Sequence, residues 1–154
     1  MFLLRITQAL QQANIPYALV GGYAVALHGA VRGTIDVDII INLDKTYFEQ
    51  VEKLALGLGL QPTLPIHATE LFEHRAQYIQ EKNLVAWSFI NPDKPSECLD
   101  IIITEDLTHK HIETKMLRDQ CVQVLSIADL IAMKKVSGRA QDLEDIKALQ
   151  ALNT

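Results

Sequence analysis

Cysteine is scarce in this chain of 154 residues: Cys98 and Cys121 are its only two. Both lie in apolar, strand-like contexts without CxxC spacing, which argues against a disulfide framework or a cysteine metal centre and for two reduced core thiols. Basic clusters are missing as well. Lys and Arg number 14 against 19 Asp and Glu, for a net charge of −5. A chain so balanced does not grip a long stretch of nucleic acid electrostatically, although contact with one end of a tRNA stays open. There is no long hydrophobic run. Arg5 follows only three apolar residues, so no signal-peptide core is expected. The uncharged stretch Ile15–Val31 is interrupted by Pro16, His28 and three glycines, and is too short for a membrane span. The expected location is cytoplasmic. With 49% hydrophobic and 21% charged residues, residues 1–154 are expected to form one globular domain.

What the chain does have is concentrated between Val20 and Asn42, VGGYAVALHGAVRGTIDVDIIIN. Tyr17–Val20 reads as a buried strand, Gly21-Gly22 as the turn after it, and Tyr23–His28 as a helix that stops at Gly29. Two glycines where a strand meets a helix let the backbone approach a ligand closely, and the helix start offers free N–H groups to an anion. Ile35–Ile41 follows as an alternating strand. Ile35, Val37, Ile39 and Ile41 take one face, and Asp36, Asp38 and Ile40 the other. This spacing predicts two carboxylates side by side, roughly 6–7 Å apart at Cα. Such a pair repels unless a cation sits between, and Mg²⁺ favours one or two carboxylates completed by phosphate oxygens. Glycine backbone followed by paired acids suits phosphoryl transfer.

Elsewhere the periodicity predicts an opening helix over Phe2–Ala13 with a stripe of Leu3, Ile6, Leu10 and Ala13, ended by Pro16. Asp44 is expected to cap a helix through Leu56 that turns Phe48, Val51, Leu54 and Ala55 inward. Leu60–Leu64 reads as a loop or short edge strand. His67–Asn83 reads as a helix whose polar face carries His67, Glu70 and His74; the spacing does not match a zinc motif. His109-Lys-His111 reads as a solvated loop or helix end. Leu84–Asn91 and Glu97–Thr104 are predicted as paired strands around a PDKPSE turn. Asp100 sits inside the second, among Leu99, Ile101, Ile102 and Ile103, where an unpaired carboxylate is costly. It is either a hydrogen-bonded acid at a strand edge or part of a metal site. Val122–Leu125 is predicted as the last strand. A helix from Ser126 to Gly138 and a final helix Gln141–Leu152, with Leu143, Ile146, Leu149 and Leu152 inward, complete the chain. Lys134 falls in the middle of the apolar stripe set by Ile127, Leu130 and Ile131, while Lys135 falls at its margin. An inward lysine needs an anion: either a structural bridge to Asp142 or a bound ligand.

Gly21-Gly22, Arg32, Thr34 and Asp36-Val-Asp38-Ile together resemble the signature of the nucleotidyltransferase superfamily, which includes DNA polymerase beta and the kanamycin nucleotidyltransferases. The resemblance implies an α/β (α+β) fold, a small mixed β-sheet with flanking helices and C-terminal helices. It implies an enzyme that uses Mg²⁺ to move a nucleoside monophosphate from an NTP to an acceptor hydroxyl. Asp36 and Asp38 would hold a pair of metal ions, with Asp100 as the third metal and catalytic acid. Gly21, Gly22, Arg32, Thr34 and Lys134 would lie on the nucleotide side. The segment DLIAMKKVSGRAQDLEDI resembles the Lys-then-Asp segment of abortive-infection nucleotidyltransferase toxins, which are generally longer. That implies a toxin–antitoxin role with a tRNA or protein acceptor, and a partner protein or a second copy of the chain. The alternatives are transfer to a small molecule of the aminoglycoside type, for which an acidic surface is suited, or a non-catalytic nucleotide- or partner-binding module.

Overall fold

Leu3, Ile6 and Leu10 recur at helical spacing, and the computed structural model, which describes residues 1–152, buries all three on one helix face. In chain order the elements are α1 (Phe2–Gln12), β1 (Ala18–Val20), α2 (Gly21–Leu27), β2 (Val37–Ile40), α3 (Lys45–Gly57), β3 (Gln61–Pro62) and α4 (Ala68–Glu73). There follow α5 (Arg75–Lys82), β4 (Ala86–Asn91), β5 (Lys94–Ile102), β6 (Ile112–Leu117), β7 (Gln120–Leu125), α6 (Ile127–Ser137) and α7 (Ala140–Leu152). The strands form one sheet of seven in the order β3-β4-β5-β2-β1-β7-β6. β1 runs parallel to β7 and β2 parallel to β5, while the other neighbours are antiparallel. A mixed sheet with flanking helices and two C-terminal helices is the architecture the sequence predicted.

The two faces of the β4–β5 hairpin differ. Trp87, Phe89, Leu99 and Ile101 are buried on one face, where Phe48 of α3 stacks on Trp87 at 5.7 Å and meets Phe72 edge-on at 5.6 Å. On the other face Ala86, Ser88, Cys98, Asp100 and Ile102 are only half-buried. That open face is where a ligand can lie against the strands. Local chemistry sets the element ends: Asp44 caps α3 by accepting from the Thr46 N–H at 2.8 Å, worth about 1 kcal/mol. Ser126 caps α6 by accepting from the Asp129 N–H at 3.2 Å, and Gly138, at φ +65°, closes it.

Several expectations are corrected. Ala13 is exposed, because the chain turns through Asn14 at φ +57° to enter β1. β2 begins at Val37, so Ile35 lies outside it and is 64% exposed, while Ile40 is buried with Ile39 and Ile41. His67–Asn83 is two helices broken at His74. β5 starts at Lys94, inside the expected turn, and ends at Ile102. β6 was not anticipated, since its residues are mostly exposed and carry no burial pattern. Cys121 is exposed, and both cysteines are free. Leu143 and Leu152 face outward, and α7 instead buries Asp142, Asp145, Ile146 and Leu149.

Candidate active site

Strand register assembles the acids. β1, β2, β5 and β4 place Val20, Asp38, Asp100 and Ser88 in one lateral row across the sheet. The neighbour of Asp38 is therefore Asp100, one strand away, and not Asp36 along its own strand. Asp36 precedes β2, exposed. Ser88 Oγ donates to Asp100 Oδ1 at 2.5 Å, and Cys98 Sγ lies 3.5 Å from the same oxygen. Burial first, then the adjoining Asp100 carboxylate, push the Asp38 carboxyl up to about 8; Lys134 works in the opposite direction. Partial burial and the Asp100 charge also raise Asp36 above the usual carboxylate range. Burial and the same carboxylates push the Cys98 thiol up to about 12, so it stays a neutral thiol.

The glycine pair is required by close approach. Gly21 opens α2 at φ +68°, and a Cβ there would stand 2.1 Å from Asp38 Oδ2. A Cβ on Gly22 would stand 2.6 Å from the Thr34 side chain. The turn thus lies directly on the acid row and on Thr34, with no space for any side chain.

A cationic cluster faces the acids. Lys134 is 7% exposed, as its position in the α6 stripe predicted, and Lys135 is exposed. Its nearer anion is not Asp142, at 3.7 Å, but Asp145, at 3.0 Å. Asp145 also accepts from Arg32 Nε at 3.1 Å and Gln141 Nε2 at 3.0 Å, so one carboxylate on α7 ties the loop before β2 to α6. Arg139 grips Asp142 through Nε at 2.8 Å and Nη2 at 3.3 Å. Burial opposes ionisation of Asp142, but the bonds from Arg139 outweigh it and hold the carboxyl down at about 2. Three cations (Arg32, Lys134, Arg139) against two anions leave this cluster one positive charge in excess.

Two clefts meet here, sharing Gly21, Asp38, Lys134, Arg139 and Asp142. One, of about 680 Å³, adds Gly22, Arg32, Thr34 and Asp36. The other, of about 290 Å³, is mostly apolar, adding Val20, Val85, Ile102, Met133 and Val136, with Glu105 at one side. Every residue singled out for the nucleotide or metal, except Asp100, lines one of these clefts. Asp100 stands behind Asp38 in the row.

The comparisons with known proteins bear on the fold. By sequence, no protein-family model and no curated protein matches the chain. By structure, it is similar to the antibiotic-resistance factor ANT(2'')-Ia, with TM-score 0.65, 11% identity and coverage of 99% of this chain and 83% of that one. It is similar to the lincosamide antibiotic adenylyltransferase LnuA, bound to lincomycin, with TM-score 0.65, 16% identity and coverage of 98% and 96%. A nucleotidyltransferase-like protein from Paracoccidioides brasiliensis gives TM-score 0.58 at 20% identity, over 98% of this chain and 73% of that one. The fold is nucleotidyltransferase-like. At these identities the likeness is one of fold, and the roles of the side chains rest on the site itself.

Whether the acids fit a metal of this fold is decided by their chemistry. Among the described residues no three of His, Cys, Asp or Glu converge into a preformed cage, either here or around His67, Glu70 and His74. Mg²⁺ does not need one: it takes one or two carboxylates and completes its shell with water and substrate phosphate. Paired hard oxygen donors at Asp38 and Asp100, with Asp36 at the mouth, suit that ion. His67 instead pairs with Glu52 at 3.2 Å. Sequence reasoning missed Asp145, Arg139 and Ser88. For Asp145 the signal was present, because Asp142, Asp145, Ile146 and Leu149 recur at i, i+3, i+4 and i+7.

Proposed function

We propose that this protein is a Mg²⁺-dependent nucleotidyltransferase that moves a nucleoside monophosphate from an NTP to a hydroxyl of a small, antibiotic-like molecule. The observation that carries the reading is the pair of unlike clefts meeting at Asp38 and Lys134, which is what joining two different substrates requires. The polar cleft suits a triphosphate: the Gly21-Gly22 turn lines it at the start of α2, and Arg32, Thr34, Lys134 and Arg139 offer donors. Mg²⁺, held by Asp36, Asp38 and Asp100 together with those phosphates, would neutralise charge developing on the transferred group. Asp100, held by Ser88 in the row beside Asp38, would draw the proton from the acceptor hydroxyl as it attacks the α-phosphorus and pyrophosphate leaves.

The acceptor cleft favours a small molecule over a tRNA or a protein. About 290 Å³ lies just below the roughly 300–1,000 Å³ typical of small-ligand pockets, and apolar walls carrying the Glu105 carboxylate beside the shared Asp38 and Asp142 suit a ring system bearing amines. ANT(2'')-Ia has been seen with adenylyl-2''-tobramycin, and LnuA with lincomycin. Both support the aminoglycoside-type alternative better than the toxin–antitoxin context. No helix among the described residues is long and apolar enough to cross a membrane.

The test is incubation with Mg²⁺ and labelled ATP, CTP, GTP or UTP beside aminoglycosides, lincosamides, tRNA and cell lysate. Label on an antibiotic supports the reading. Label only on tRNA or protein overturns the acceptor, and NTP binding without transfer to any acceptor identifies a non-catalytic module. Asp100→Asn is expected to lower turnover about 100-fold or more while NTP affinity stays within a few-fold, since its charge acts on the attacking oxygen. Titration of NTP binding beside turnover checks this. Lost affinity with normal turnover would move Asp100 to the nucleotide side.

A further inference from the structure

The sheet ends on one side in β3, two residues long, and on the other in β6, six residues long, with no described residue paired to its outer edge. An open edge of that length is a template for another strand. β6 and β7 are joined by Arg118-Asp119, at φ +49° and +63°, with Leu117 opposite Gln120. In such a two-residue hairpin the closing pair exchanges hydrogen bonds, so Leu117, Lys115 and Glu113 turn their backbone groups toward β7. Ile112, Thr114 and Met116 turn theirs outward. Two copies of this edge can therefore bond only where these outward residues face one another.

The sequence Ile112-Glu113-Thr114-Lys115-Met116 satisfies that condition about its own centre. A two-fold axis at Thr114 sets Thr114 against Thr114 and Ile112 against Met116 of the second copy, all with outward backbone groups. It also sets each Glu113 across from the other copy's Lys115, in the non-hydrogen-bonded positions where side chains come closest. Ile112 and Met116, 41% and 62% exposed, become cross-strand neighbours. A lone edge lysine deters pairing; a glutamate two residues before it makes the edge self-complementary.

We propose that β6 is the seam of a homodimer, in which two copies pair antiparallel about Thr114 into one continuous sheet. Neither charge lies in the clefts, so transfer per chain is unaffected. The experiment is sedimentation velocity over a concentration series, with melting temperature measured in parallel. The wild type is expected to move from the 17.2 kDa chain mass to twice that value as concentration rises. Glu113→Lys and Lys115→Glu, each alone, place like charges in every cross-strand pair and remain monomeric over the same range. Mixed in equal amounts they restore the doubled mass, and so does the two-fold swap on one chain, which retains both charges. A wild type monomeric throughout, single variants that dimerise as it does, or a mixture and a swapped chain that stay monomeric would each overturn the proposal.

Discussion

Asp38→Asn is expected to reduce nucleotidyl transfer on the order of 1,000-fold or more and to leave the apo protein at least as thermally stable as the wild type. Asp38 stands beside Asp100 in the lateral row, and its carboxyl is pushed up to about 8. That shift means the folded apo protein accommodates its charge poorly. Asparagine keeps the shape and removes the repulsion, so the fold gains or loses little. The same substitution takes away the oxygen charge that a divalent ion needs. Turnover and apo melting temperature, measured on one preparation, check both halves. Full transfer in the variant, or in the wild type with excess EDTA, would sink the two-metal reading.

Lys134→Ala is expected to destabilise the protein by about 1–3 kcal/mol and to abolish transfer, while Lys135→Ala changes stability by less than about 0.5 kcal/mol. Lys134 is the ammonium nearest Asp145, which is only 3% exposed, and its removal leaves that buried carboxylate with Arg32 and Gln141 alone. It also takes away the positive excess of the cluster facing the acid row. A double variant, Lys134→Met with Asp145→Asn, separates the two effects. Removing both buried charges together is expected to recover most of the stability, because the amide oxygen of the substituted side chain still accepts from the half-buried Arg32. Transfer stays lost if Lys134 serves the triphosphate. Activity that returns with stability would make Lys134 a structural residue only.

These expectations differ in how much of them could be read along the chain. The glycine pair was legible because strand, turn and helix are local patterns, although the structure gives it a second cause: at Gly21 and Gly22 the missing side chains make room for Asp38 and Thr34. The inward direction of Lys134 was legible from helical spacing alone. Asp36 and Asp38 were read as a pair on one strand, since alternation is all that a sequence shows about neighbouring carboxylates. β2, however, starts after Asp36, and Asp38 finds its partner across the ladder.

Spacing along the chain determined the buried stripe of α1 and the inward face of Lys134 in α6, because local backbone geometry has a fixed period. It determined most of the helices and strands, the capped starts at Asp44 and Ser126, and the acids at Asp36, Asp38 and Asp100 as candidates, while the mixed sheet was implied by the family resemblance. Only the tertiary structure decided that Asp100 adjoins Asp38, that Ser88 orients it, and that Asp145 joins Arg32 to Lys134. Those contacts depend on strand order and register, which chain reversals and core packing fix together. The same holds for β6, whose residues show a strand only once β7 lies beside them.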